Sequence, residues 1–175
     1  MPNEYLPLKV DAVRFADNAM RLHGNLPVKN MERLCPSLAS DRGSIEVSLN
    51  FGVDEQGIRF LRGHLEANLG LQCQRCMESL DYGIIGDFLL GIVGTEEEAR
   101  DLPGRFDPLI IKGVDLLISD VIEDELIVSL PIVPMHELQD CKVTLPLIVE
   151  SETVSMKKEN PFKVIELLRD KRDKK

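Results

Sequence analysis

The chain has no tryptophan, 5% aromatic residues and four cysteines in 175 residues. It also lacks any run of about 18 apolar residues, so no segment reads as a membrane span. Its opening, MPNEYLPLKVDAV, has no basic stretch followed by an apolar block and does not read as a secretory signal. The expected compartment is therefore the cytosol, where thiols stay reduced. There, closely spaced cysteines more often hold metal or exchange electrons than form structural disulfides. No phosphate-cradling glycine motif, dinucleotide fingerprint or nucleophile elbow occurs. His23 and His64 have no recognisable catalytic partner beside them. Neither an internal repeat nor a low-complexity block is present. Nothing in the chain argues for an enzyme or for a small-molecule substrate.

Positive charge is scarce through most of the chain. Residues 1–156 hold 13 Lys+Arg against 26 Asp+Glu, whereas residues 157–175 hold eight against four. An acidic body repels phosphate, which disfavours nucleic-acid binding through its overall field and favours a basic protein partner. The short basic tail can still touch RNA, although such tails are commonly only solvated ends.

A length of 175 residues suits one domain with a real core. The expected division is a globular domain over 1–156 and a basic tail over 157–175. YLPLKV reads as a short strand, DAVRFADNAM as a helix opening at Asp11, and NMERLCPSL as a helical turn halted by Pro36. In SIEVSLNF, Ile45, Val47, Leu49 and Phe51 alternate with polar residues, the pattern of a half-buried strand. After the turn DEQG the chain returns with Leu65, Ala67, Leu69, Leu71 and Cys73 on one face. Leu80, Tyr82 and Ile84 alternate again and lead into GDFLLGIV, where the glycines suggest bulges or bends. An acidic excursion, GTEEEARDLPGRFDP, precedes VDLLISDVIEDELIVSLP, which reads as a long helix near 115–130, capped by Asp115 and stopped by Pro131. In the tail, NPFKVIELLRDK predicts a short helix with Asn160 as cap and Phe162, Ile165 and Leu168 on one face. The fold class is α+β, a single domain around a mostly antiparallel sheet that could curl toward a barrel.

The stretch LQCQRCMESL places Cys73 and Cys76 between two strands. Structural zinc takes four soft or borderline ligands, usually as two short pairs. His136 and Cys141, in PMHELQDC, supply a second pair if that loop folds back. The competing reading is that Cys73 ends an apolar face, Cys76 lies in a turn, and the other two are unrelated loop residues. A redox pair would need the first cysteine to open a helix, and MESLDYGIIGD is poor helix material. Cys35, before Pro36, reads as a packed thiol. Asp120, Glu123, Asp124 and Glu125 in SDVIEDEL could hold Mg²⁺, though a solvated helix face is the commoner use of such a cluster.

Three stretches, LQCQRCMESL, VIEDELIVSLPIVPMH with its trailing Cys141, and NPFKVIELL, resemble the YceD family of large ribosomal RNA subunit accumulation proteins over almost the whole chain. The resemblance implies a non-enzymatic ribosome-biogenesis factor supporting synthesis, processing or stability of the large-subunit (23S) ribosomal RNA. The family's gene commonly neighbours that of a large-subunit ribosomal protein, and no catalytic residues carry over. Some relatives place cysteines where His136 and Cys141 stand here, which strengthens the zinc reading. This chain departs from them in its histidine and in lacking a further downstream cysteine pair.

The expected partner is then a basic large-subunit ribosomal protein or a pre-ribosomal particle, met by Glu123, Asp124 and Glu125 together with Arg75. The alternatives are direct rRNA contact by the tail, helped by Arg59, Arg62 and Arg75, and RNA processing by the Asp120–Glu125 carboxylates.

Overall fold

The computed structural model describes residues 6–113 and 115–143, which fall in one compact unit. In chain order its elements are β1 (Lys9–Asp11), α1 (Ala12–Asp17), β2 (Arg21–Pro27), β3 (Ser44–Val53) and β4 (Arg59–Gln72). There follow β5 (Ser79–Val93), α2 (Glu96–Arg100), β6 (Asp107–Ile110), β7 (Asp115–Leu117) and α3 (Ile118–Ser129). The class is α+β, as the alternating strands and few helical stretches predict. The expected tail helix, with Asn160, Phe162, Ile165 and Leu168, lies outside the described residues.

Alternation dictates the centre. Ile45, Val47, Leu49 and Phe51 of β3 turn inward, opposite Ala67, Leu65, Gly63 and Leu61 of β4. These in turn face Ile84, Gly86, Phe88 and Leu90 of β5, so one sheet face is a continuous apolar surface. Each large aliphatic side chain fully buried there is worth about 1.5–3 kcal/mol. Ile118, Val121, Ile122 and Leu126 of α3 join the same core, and α1 adds an edge-to-face pair, Phe15 on Phe51, with ring centroids 5.5 Å apart. The other face is polar, with His64 between Asp87 and Glu66. The β3–β4 turn is held by Asp54, whose Oδ1 accepts from the N–H groups of Gln56 and Ile58, with Gly57 at φ +81°.

The five-stranded sheet runs β2-β3-β4-β5-β6, with the first four strands antiparallel and β6 parallel to β5. A parallel neighbour needs a crossover, and the acidic excursion supplies it. There Thr95 caps α2 by accepting from the N–H of Glu98. Its edge strands β2 and β6 do not pair with each other, so barrel closure does not occur among the described residues.

Three local expectations need correction. The helix near 115–130 begins at Ile118, because residues 115–117 pair with β1 as a short antiparallel ladder, Asp115 opposite Asp11. Asp115 is therefore a strand residue, and the acid that caps a helix is Asp11, which accepts from the N–H of Arg14. Pro36 does not halt a turn but sits inside one, Cys35–Ser37, near its start, where its missing N–H leaves no bond unmade. Cys35 is half-buried there and its thiol donates to the Val28 carbonyl at 3.5 Å. The β5 glycines make no bulge, since the β4–β5 register is unbroken from Phe60–Gly91 to Gln72–Ser79.

Glycine instead makes room for rings. A Cβ on Gly63 would lie 1.9 Å from Cζ of Phe88, its cross-strand neighbour. Gly63→Ala is expected to destabilise the chain by about 1–3 kcal/mol in denaturant titrations. Adding Phe88→Leu should recover part of that loss. An alanine tolerated within about 0.5 kcal/mol would mean the ring is not seated on Gly63.

Candidate metal centre

The inner face of β4 ends at Cys73, which is fully buried. A tight turn follows, closed by two hydrogen bonds of 2.9 Å: the Cys73 N–H donates to the Glu78 carbonyl and the Met77 N–H to the Cys73 carbonyl. Met77 takes the left-handed conformation, φ +63°, that sends the chain back into β5. The segment leaving α3 comes to this turn. Leu130 is extended at φ −65°, ψ 141°, as a residue before proline must be, and Pro131 cannot continue the helix. The Pro134 carbonyl then accepts from the Gln74 N–H at 2.9 Å, and the His136 carbonyl from the Arg75 guanidinium at 2.6 Å. A second turn, with the N–H groups of Asp140 and Cys141 both donating to Glu137, brings Cys141 inward to 8% exposure.

The result gathers all four expected ligands. The donor atoms of Cys73, Cys76, His136 and Cys141 lie within 4.8 Å of one another, so the group can hold a metal ion. A tetrahedral ion with bonds of about 2.0–2.3 Å wants donors roughly 3.5–3.8 Å apart, a small contraction from this geometry. The surroundings fit as well. Nε2 of His136 lies 3.2 Å from the Ser79 carbonyl, which needs a proton on that nitrogen. Nδ1 is thereby left as a lone-pair donor, 3.3 Å from the Cys76 sulfur.

The thiols are poised unequally. Burial by itself pushes the Cys73 thiol up, but N–H groups of Cys76, His136 and Arg75 and the Cys76 side chain outweigh it and bring it down to about 5. For Cys76 a backbone contact from Glu78 lowers the thiol. Burial and the neighbouring Cys73 and Cys141 override that contact and leave it raised. One thiolate is thus prepared, and a metal would have to displace the remaining thiol protons. No helix opens at Cys73, so the helix-dipole arrangement of a thioredoxin-like pair is not found at this turn.

The acidic cluster turns out differently. Glu123 is 5% exposed, and its carboxylate accepts from the backbone N–H groups of Arg33 and Leu34 and from Nε of Arg33. The same guanidinium donates to the Asp124 carboxylate and the Asp120 carbonyl. A fixed cation therefore occupies the place a Mg²⁺ would need. Glu123 is also unavailable to a partner, because exposing it would leave those donors unmatched. Asp124 and Glu125 remain nearer solvent. Burial, then the charges of Asp107 and Asp124, raise the Glu125 carboxyl.

The arginines do not converge either. Arg59 pairs with Asp17 and Arg75 braces the His136 carbonyl, whereas Arg62 is exposed on the outer sheet face. Arg62 and Arg75 lie at opposite ends of β4, roughly 30 Å or more apart. Two supporting groups escaped sequence reasoning. Arg33 has no motif, and Ser79 acts through a carbonyl, which every residue has.

A model of the family described as "Large ribosomal RNA subunit accumulation protein YceD" matches residues 61–169. A curated protein of that name from Haemophilus influenzae is 33% identical over 172 residues, covering 95% of this chain and 97% of its own length. No solved structure matches the chain.

Replacing Glu123 by alanine should cost about 1–3 kcal/mol, the desolvation penalty of stranding buried donors, and Asp124→Ala should cost distinctly less. Thermal or denaturant unfolding of the two variants checks the order. Equal losses would contradict the role assigned to Glu123.

Proposed function

The chain belongs to the YceD family, and from that membership we propose that it is a non-enzymatic cytosolic factor supporting accumulation of the large-subunit ribosomal RNA. It acts by contact with a basic large-subunit ribosomal protein or with the particle that contains one. The observation that carries this reading is the charge of residues 1–156, with twice as many acidic as basic side chains, 26 against 13. Such a body attracts a cationic protein before it meets its RNA and speeds the encounter. Asp124 and Glu125 are the acidic-helix groups left to face it, while Glu123 anchors α3 to Arg33 and Leu34 and Arg75 braces the His136 carbonyl.

Of the four carboxylates considered for metal-assisted RNA cleavage, Glu123 and Asp124 are tied to Arg33, which favours the non-enzymatic reading. Arg59, Arg62 and Arg75 do not form one basic patch among the described residues, and RNA contact by residues 157–175 is the alternative.

The ion we assign to Cys73, Cys76, His136 and Cys141 is zinc, because three sulfurs and an imidazole suit its preference. Its chemistry here is structural: it would cross-link the β4–β5 turn to the segment after α3 and add its binding energy to folding.

Two measurements test these statements. Tagged full-length chain should recover large-subunit components from bacterial extract, with at least one basic protein remaining after RNase. Loss of every component with RNase would put the contact on RNA instead. The purified chain should hold zinc at neutral pH and release it on acidification, as protons compete for the ligand thiolates and imidazole. Cys73→Ser should lower the melting temperature and abolish its response to a chelator. A melting temperature indifferent to both would remove the metal.

A further inference from the structure

The segment linking α3 to the metal centre carries the most exposed apolar run among the described residues. Within twelve positions Ile127 is 37% exposed, Val128 83%, Ile132 99%, Val133 52%, Met135 52% and Leu138 81%. Such a concentration is uncommon on a surface with nothing to bind. It is also not a loose loop. Pro131 and Pro134 restrict the backbone, the Pro134 and His136 carbonyls are bonded to the β4–β5 turn, and His136 and Cys141 belong to the metal-ligand group. A strap held this way presents its side chains without the ordering cost a mobile loop would carry on binding.

Charge selects the occupant. Residues 113–141 contain seven Asp and Glu and not one Lys or Arg. Arg33 pairs with Glu123 and Asp124 and Lys9 with Asp115, while Asp120, Glu125, Glu137 and Asp140 make no salt bridge among the described residues. That rim repels RNA phosphate and anionic lipid headgroups. A second copy would set acid against acid. What complements apolar side chains in an acidic frame is a cationic polypeptide with apolar anchors.

We propose that the strap formed by Ile127–Leu138 is the docking surface for a Lys/Arg-rich protein segment that inserts apolar side chains against Val128, Ile132 and Leu138. The proposal rests on the basic-partner reading above and adds the place and the anchoring chemistry. It also uses the stretch VSLPIVPMHEL, which neither the fold nor the metal fully accounts for: the core needs Leu130 and the metal His136, but neither needs Ile132 exposed.

A photo-crosslinking residue placed at Ile132 of the full-length chain, with Ile85 as control, tests it. Ile85 is 73% exposed on the outer sheet face. Irradiation in bacterial extract should give adducts at 132 with Lys/Arg-rich polypeptides. These adducts should resist RNase and weaken roughly fivefold or more when salt is raised to about 0.5 M. The double variant Val128→Ser/Leu138→Ser, changed only at surface positions, should lose them. Adducts at 132 with RNA, with a second copy or within the chain itself would overturn the proposal, as would no adduct at 132. Basic polypeptides captured at 85 but not at 132 would overturn the surface and leave the partner class standing. Their absence at both sites would overturn both readings.

Discussion

The structure depends on one junction, where the turn between β4 and β5 meets the segment that follows α3. Cys73 and His136 are more than sixty residues apart in sequence, so closing this loop carries a real entropic cost. Among the described residues it is offset by hydrogen bonds of Gln74 with Pro134, Arg75 with His136, and His136 with Cys73 and Ser79, by the Lys142–Glu78 pair, and by the convergence of three sulfurs on one imidazole. A neutral hydrogen bond such as Gln74–Pro134 is worth about 0.5–1.5 kcal/mol and one donated by a guanidinium about 1.5–3 kcal/mol, whereas a structural zinc would contribute far more. The donor set is therefore the natural fastener. β4 and β5, paired over thirteen residues, give it a rigid base.

From that junction the division of the acidic groups follows. The one on α3 that points inward, Glu123, is neutralised by two backbone N–H groups and a guanidinium, whereas Asp124 pairs with the same arginine at the surface. Buried charge is tolerated only when paired in this way. What remains outside is a frame of carboxylates around a fixed apolar strap, on a chain whose formal net charge is −9. A body of that kind has little to offer a polyanion and much to offer a cation. The same arginine that keeps α3 seated on the loop at residues 31–37 also removes the cluster as a cation site, so structure and chemistry point the same way.

Much of this was legible in the sequence wherever a period or a spacing carried the information. The period-two pattern of Ile45 to Phe51 and Leu65 to Cys73 marked the central strands, because each side chain must choose a face. The two short ligand pairs marked the metal group, since few other uses bring Cys73, Cys76, His136 and Cys141 together. Less legible were features that depend on a distant partner. Residues 115–117 read as helix until β1 is there to pair with them. Glycines in β5 read as bulges until their neighbours are seen to need the space. Glu123 read as a surface acid because helical spacing says nothing of Arg33, ninety residues away.

The central claim is that this junction is closed by a metal with three sulfur ligands and one nitrogen ligand. X-ray absorption at the zinc edge, on full-length chain purified without added metal, tests it most directly. The account predicts a four-coordinate shell with three sulfurs near about 2.3 Å and one nitrogen near about 2.0 Å. A shell of oxygen and nitrogen only, or a sample without an edge, would contradict it.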